Sequence, residues 1–322
     1  MKLKALLIGC GKIGAEYDFD RPGQVWSHAK AYALKDNLEL TVSDTDEDKA
    51  RKVAQTYGAR ILSNPGSEEY QNFDIISIAT PSITHFEYLK DILNHSSSVV
   101  ICEKPAVSSS KQADELLIVY KSAGSKVLVN YMRRYQPAYE LMKERLSHSF
   151  DRTCLRAINV KYCRGFLNNA SHAVDLLEYL YDEPFDFRGF NLQRAEFDSF
   201  DYDPTLTGSC SYLDHPVSIT GVSKIGYAVF EIEIFYADSK IVVCHSGDEI
   251  RYYVKSEGML KENVQERQKA ILDRYMVPVV DEALDLYFKR KIEDNFISAL
   301  NVNKRMLEII ELIKKHNVAV SN

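Results

Sequence analysis

Leu3-Lys4-Ala5-Leu6-Leu7-Ile8-Gly9-Cys10-Gly11-Lys12-Ile13-Gly14 decides the fold of this chain. An apolar run of strand length meets a G-x-G-x-x-G turn, and the segment beyond is compatible with a helix, which is the context that gives the three glycines meaning. Gly9 permits the tight turn, Gly11 lets backbone approach a diphosphate, and Gly14 allows close packing of helix on strand, with Lys12 and Ile13 in the same loop. A helix N-terminus at this point offers free N–H groups to the anion. A plain strand-to-helix turn has the same glycines, so the reading needs a second signal downstream.

That signal is Asp44, at the end of the next apolar run, Leu38 to Ser43. A carboxylate there accepts both hydrogen bonds of an adenosine ribose diol and repels a 2′-phosphate, which favours NAD over NADP as the cofactor. Asp46 stands close enough to be confused with it, and the plainer reading of an acid at this place is a helix cap. Asp44 follows Gly14 by about 30 residues, against roughly 20 in the usual fingerprint. The excess is an inserted segment, Tyr17–Trp26, whose Arg21-Pro22-Gly23 cannot be continuous helix and which is placed to form part of a substrate entrance.

Phe73–Ala79, Ser98–Cys102 and Lys126–Asn130 read as further strands, with helices at Glu47–Tyr57, Thr84–Asn94 and Lys111–Ala123 between them. Continuous apolar residues such as Ile75, Ile76 and Ile78 imply burial on both faces of a parallel sheet. After Tyr131 the pattern changes. Leu155–Cys163, Phe187–Gln193, Val217–Val222, Tyr227–Tyr236, Lys240–His245 and Glu249–Lys255 follow one another with short turns, broken by a helix at Ala170–Leu180. The expected fold class is α/β: a doubly wound Rossmann sheet over residues 1–130, then an α/β domain over 131–322 with a large, mostly antiparallel open sheet. The apolar positions of Asp294–Lys315 have helical spacing, and this helix is expected to pack back on the first domain.

Composition excludes several classes. A net charge of −6 without a basic block gives nucleic acid little to bind. No apolar run reaches the roughly 18 residues of a membrane span, and the glycine turn follows too soon for a signal peptide. Six scattered cysteines without a C-x-x-C fit buried thiols in a cytoplasmic protein, and eight dispersed histidines suggest chemistry without a metal.

Ala79-Thr80-Pro81 and Glu103-Lys104-Pro105 end consecutive strands, and so stand at the carboxyl edge where open α/β sheets bind ligands. Lys104 is either an exposed strand-end cation or a general acid and base toward a substrate hydroxyl. His172 and Asp175 share one face at a helix start.

In order and spacing these segments resemble the glucose-fructose oxidoreductase, inositol dehydrogenase and MocA family, written Gfo/Idh/MocA. The carriers are Gly9-x-Gly11-x-x-Gly14, Asp44, Ala79-Thr80-Pro81 with His85, Glu103-Lys104-Pro105, Asn130–Pro137 and Ser171-His172-x-x-Asp175. The resemblance implies a cofactor held by the glycine loop, Asp44, Ala79, Thr80, Pro81, His85 and Glu103. It implies Lys104 and His172 facing the nicotinamide, and a secondary alcohol or ketone of a sugar, nucleotide-linked sugar or cyclitol as substrate. Arg134, Tyr162, Arg164, Asn168 and Asp175 are the expected contacts to that small polyhydroxyl molecule, and the open sheet implies a homodimer or homotetramer. The family's D-x-x-x-H pair is here Asn168 and His172, and an amide orients a hydroxyl but takes no proton. That departure motivates one rival, a dinucleotide-binding regulator or assembly protein without turnover; a third reading, implied by relatives that resemble biliverdin or imine reductases, keeps the enzyme but replaces the alcohol by a C=C or C=N bond.

Overall fold

Ile75–Ile78 and Val99–Cys102, central strands of the first sheet, are buried at every position, as strands covered on both faces are. The computed structural model describes residues 2–315. The chain divides into two compact units, Met1–Met132 with Asp273–Asn303, and Arg133–Leu272 with the chain from Lys304. In the first unit lie β1 (Leu3–Ile8), β2 (Leu38–Ser43), β3 (Arg60–Ile61), β4 (Ile75–Ile78), β5 (Val99–Cys102) and β6 (Lys126–Val129). They pair in parallel in the order β3-β2-β1-β4-β5-β6, the doubly wound order expected from the alternating pattern. The order in which strands are added to the sheet reverses between β1 and β4, so the crevice at this switch point opens over Gly9 and Ala79.

The helices of this unit are α1 (His28–Ala33), α2 (Glu47–Tyr57), α3 (Ser67–Tyr70), α4 (Ser82–His95) and α5 (Ser110–Tyr120). The helix expected directly after the glycine turn is a single turn, closed by Ala15 N–H to Gly11 O at 2.8 Å. It resumes as α1, where His28 N–H bonds Ile13 O at 3.2 Å and Ala29 N–H bonds Gly14 O at 2.9 Å. These partners stand fifteen residues apart instead of four, so eleven residues are looped out of what is otherwise one helix.

The second unit begins with α6 (Pro137–Ser149), β7 (Leu155–Tyr162) and α7 (Ser171–Tyr181). Then come β8 (Arg188–Glu196), β9 (Thr205–Tyr212), β10 (His215–Gly221), β11 (Phe230–Tyr236), β12 (Ser239–Cys244), β13 (Glu249–Ser256), β14 (Met259–Glu262) and β15 (Gln268–Lys269). The main sheet runs β14-β13-β12-β11-β7-β10-β9-β8 with β15 on β13, and every pairing is antiparallel except β10 with β7. Sequence reading missed β9 because Thr205-Leu206-Thr207-Gly208-Ser209-Cys210-Ser211-Tyr212 is rich in small polar residues, although alternate positions are buried. No helix among the described residues is long and apolar enough to cross a membrane.

The chain ends with α8 (Met276–Tyr287) and α9 (Phe296–Lys315). Between them two side chains close the open edge of β6. Asn295 Oδ1 accepts from Val129 N–H at 2.8 Å and its amide donates to Val129 O at 2.9 Å, while Asp294 accepts from Val127 N–H at 2.9 Å. Asn295 thus stands in for a seventh strand, and a buried edge left unpaired is costly. Asn295→Ala should lower unfolding free energy by about 2 kcal/mol in urea titration, whereas an unchanged midpoint would show that β6 does not depend on this amide.

Candidate functional site

At the switch point the glycines are shaped by backbone, not by a ligand alone. Gly9 has φ +98°, and a Cβ there would lie 2.7 Å from the Ala79 carbonyl. A Cβ on Gly14 would lie 2.1 Å from Gly9 O. At Gly11, by contrast, a Cβ would meet nothing within 4 Å, so its missing side chain leaves an open cradle. Sterics demand two of these glycines for packing, and only the third faces free space.

Asp44 stands where β2 ends. Its Oδ2 accepts from Cys10 N–H at 2.6 Å and its Oδ1 from Asp46 N–H at 2.8 Å. Asp46 is the N-cap of α2, accepting from the N–H groups of Asp48 and Lys49. The two acids thus differ in backbone role, Asp46 capping α2 and Asp44 joining the glycine turn to the start of that cap, and both line the crevice. Burial, then Asp44 and Glu16 nearby, push the Cys10 thiol up to about 12, so it is no nucleophile at neutral pH.

A cleft of about 670 Å³ joins these parts. Gly9, Gly11, Lys12, Ile13, Asp44, Ala79, Thr80 and Pro81, all expected cofactor contacts, line it. Sequence reading missed Tyr17, Lys49, Asn64, Pro65, Thr84 and Tyr88, which line it too. Thr84 and Tyr88 sit four apart on α4, so the helical spacing beyond Pro81 carried a usable signal; Asn64 and Pro65 carried none.

Three expected contacts lie outside the cleft. Gly14 is a packing position. His85 is buried with Nε2 2.8 Å from Thr80 O and Nδ1 2.8 Å from Pro105 O, so it ties the loop after β4 to the loop after β5. Glu103 is buried in a polar chain: its Oε1 lies 3.0 Å from His28 Nε2 and accepts from Asn130 Nδ2 at 2.6 Å. His28 Nδ1 continues to Ser77 Oγ at 3.0 Å, which meets Tyr32 Oη at 2.7 Å. Burial pushes the Glu103 carboxyl up, but the His28 and Asn130 hydrogen bonds, with the charges of His28 and Lys104, bring it below its ordinary value. A buried anion therefore sits beside Lys104, which is half-buried at the carboxyl end of β5.

In the second unit, Asn168 lies in a π-helical turn, Phe166–Ala170, that runs straight into α7. Asn168 Nδ2 donates to Arg164 O at 3.0 Å. His172 is buried on the first turn of α7. Arg134 Nε donates to Asp175 Oδ2 at 3.0 Å, an ion pair with both side chains largely out of solvent. Burial, and more weakly Glu178, push the Asp175 carboxyl up to about 7 against the pull of Arg134. Tyr162 is a correction to the sequence reading: it is fully buried, donating to Leu206 O at 2.9 Å and accepting from Leu206 N–H at 2.6 Å, so its hydroxyl is committed to β9. Arg164 is exposed. Asp203 was missed: Leu167 and Asn168 N–H each donate to its buried carboxylate at 2.7 Å.

One group of possible metal ligands stands apart, Cys244, His245 and Glu249, with ligand atoms within 4.8 Å of one another. Arg251 occupies its centre, donating to Glu249 at 2.5 Å with its Nη2 3.1 Å from His245 Nε2. A guanidinium already neutralises that carboxylate.

Residues 3–131 match the model of an oxidoreductase family with an NAD-binding Rossmann fold, Gfo/Idh/MocA. Inositol 2-dehydrogenase from Paracoccus denitrificans is 26% identical over 196 residues, 58% of this chain and 56% of that protein. D-glucoside 3-dehydrogenase from Escherichia coli is 24% identical over 45% of this chain and 39% of its own length. The chain thus spans about half the length of the curated relatives it matches. A Gfo/Idh/MocA family oxidoreductase from Vibrio cholerae superposes with a TM-score of 0.75 over 98% of this chain and 99% of its own, at 14% identity. A 3-ketoreductase from Actinomadura kijaniata, in complex with NADP, gives 0.72 over 97% and 98% at 11% identity. These structural likenesses show the fold, and residues 3–131 are similar to the NAD-binding Rossmann domain of the Gfo/Idh/MocA family.

Proposed function

We propose that the chain is an NAD-dependent oxidoreductase that moves hydride between nicotinamide and a secondary alcohol or ketone of a sugar, nucleotide-linked sugar or cyclitol. One observation carries the reading: the Asp44 carboxylate, fixed by two main-chain N–H groups, walls a cleft floored by the open Gly11 cradle. The residues fit a dinucleotide. Gly11 and its neighbours Lys12 and Ile13 would hold the diphosphate, and Asp44 the adenosine ribose diol. The carboxylate also disfavours a 2′-phosphate by like charge, although Lys49 in the same wall provides a counter-cation. Relatives named for inositol and glucoside dehydrogenation support a polyhydroxyl substrate.

A bound nicotinamide supplies the two-electron hydride acceptor or donor. Lys104 would hold or release the proton at the substrate oxygen, and the buried Glu103 carboxylate attracts its ammonium. His172 is proposed as a second proton-handling residue. A homodimer or homotetramer built on the open sheet and a cytoplasmic setting, in keeping with six free cysteines, complete the proposal.

Turnover decides between this reading and a regulator that only binds the dinucleotide. With myo-inositol, methyl glucoside and UDP-N-acetylglucosamine as probes, absorbance of reduced nicotinamide should change with at least one; saturable NADH binding with no turnover on such alcohols or their ketones rejects the enzyme. Lys104→Ala should keep NADH affinity and lose about 100-fold in rate; an unimpaired variant removes Lys104 from the mechanism. Asp44→Asn should weaken NADH about tenfold while NADPH binds better than to the wild type, as one charge-assisted diol contact and one repulsion disappear. Calorimetry showing the two cofactors shifted alike would place selectivity elsewhere. Gly14→Ala should cost about 2 kcal/mol or more of stability, whereas Gly11→Ala should leave the melting temperature in place and weaken NADH alone; the reverse pattern would sink the cradle assignment.

A further inference from the structure

The looped-out residues lie against α2. Phe19 stacks on Tyr57, the last residue of that helix, with ring centroids 6.0 Å apart, and Lys52 Nζ of the same helix stands 4.7 Å from the Phe19 ring centroid. Asp18, fully buried beside Phe19, accepts from Trp26 N–H at 2.6 Å, Ser27 N–H at 2.9 Å and Ser27 Oγ at 2.7 Å, so one carboxylate ties the start of the loop to its end. Between the glycine turn and this anchor stands Tyr17. Its N–H donates to Lys12 O at 3.0 Å, yet the residue is 47% exposed and lines the cleft beside Gly11 and Lys12. An aromatic ring left in solvent between two anchored points is a preformed platform for a planar ligand face.

The lining of the cleft fixes which half of a dinucleotide this platform meets. The cleft runs from the glycine turn past Asp44 and Lys49, takes in Asn64 and Pro65 beyond β3, and ends at Ala79–Pro81 with Thr84 and Tyr88 of α4. Among the described residues, neither Glu103 nor Lys104, at the end of β5, lines it. With Asp44 read as the partner of the adenosine ribose, the enclosed part is the adenosine half, and the nicotinamide half belongs on the far side of β4. Right-handed crossovers put the helices after β1 and β2 on one face of the sheet and those after β4 and β5 on the other, as the packing of α1 on α2 and of α4 on α5 bears out. Tyr17, on the α2 side, and the half-buried Tyr88, on α4, therefore flank the adenosine half from opposite faces. A purine base is the part of the dinucleotide that aromatic rings bind best.

We propose that Tyr17 and Tyr88 form an aromatic clamp on the adenine base, one side supplied by the looped-out segment and the other by α4. The proposal rests on the reading of the cleft as a dinucleotide site. Calorimetry with NADH and with ADP-ribose, which lacks the nicotinamide, tests it. Tyr17→Ala, and Tyr88→Leu, which keeps the apolar bulk of its half-buried position, should each raise both Kd values by the same factor, about tenfold, the scale of one ring against one base. Tyr17→Phe and Tyr88→Phe should bind both probes like the wild type, since the rings and not the hydroxyls are invoked. Unchanged affinities in Tyr17→Ala or Tyr88→Leu, a loss of NADH affinity that ADP-ribose does not share, or a phenylalanine variant as impaired as its ring-deleted counterpart would each overturn the clamp while leaving the dinucleotide reading intact. So would a wild-type protein that binds NADH but not ADP-ribose, because the adenosine half would then contribute little. A wild-type protein that binds neither probe overturns that reading and the proposal together.

Discussion

Everything in the first unit is arranged around the near-contact of three backbone segments at the sheet's switch point. Gly9 comes against the end of β4, and the turn bearing Gly14 comes back against Gly9 O, with no room for a methyl group at either place. Because β1 and β4 are adjacent and parallel, their carboxyl ends diverge into helices on opposite faces, and a crevice must open there. The two tight glycines bring strand and turn close enough for Cys10 N–H to reach Asp44 on β2. The same steric constraint therefore sets the depth of the cradle and the position of the acid that lines it.

Directly behind this crevice the interior is polar. Tyr32, Ser77, His28, Glu103 and Asn130 form one buried hydrogen-bonded chain from α1 through β4 to the ends of β5 and β6. A buried carboxylate is tolerated because donors surround it, and each donor needs its own element in register. His28 reaches Glu103 only because α1 resumes on the glycine turn with its hydrogen bonds in phase, as Ile13 O and Gly14 O show. The inserted segment thus leaves the helix geometry intact. Insertion and the carboxyl edge of the sheet are linked through that one phase relation.

Five of the six strands of the parallel sheet and the glycine turn were legible because they rest on local pattern, apolar runs and glycine spacing, whereas the two-residue, exposed β3 carries no such pattern. β1 and β2 were read residue for residue, and the interruption at Arg21-Pro22-Gly23 announced that no helix could run through. What local pattern could not supply was partnership across the chain. Nothing near Asn295 says that its amide pairs with Val129, and nothing near Tyr162 says that Leu206 uses both capacities of its hydroxyl. His85 illustrates the same limit in the site itself: the family resemblance implied a cofactor contact, whereas Pro105 O, twenty residues on, holds one nitrogen of its buried ring. The stretch 273–293 is a further case: the helix from Asp294 was expected to return to the first domain, but nothing in the local pattern says that α8 before it belongs to the first unit as well.

The departure at Asn168 has a physical account in the second unit. Four consecutive donors enter the π-helical turn, and all are satisfied from one short stretch: Gly165 N–H by Thr205 Oγ1, Phe166 N–H by Pro204 O, and Leu167 and Asn168 N–H by the two oxygens of Asp203. These are the groups a helix start ordinarily leaves unpaired, and a carboxylate is the acceptor favoured there. Gly165, at φ +86°, is required because a Cβ would lie 2.2 Å from Asp203 Oδ2. With that anion bound to the Asn168 backbone, a second carboxylate at position 168 would meet like charge at close range and would lose the bond that Nδ2 donates to Arg164 O. An amide is the side chain this turn accommodates. The negative charge near the start of α7 is that of Asp203, held by the Leu167 and Asn168 N–H groups.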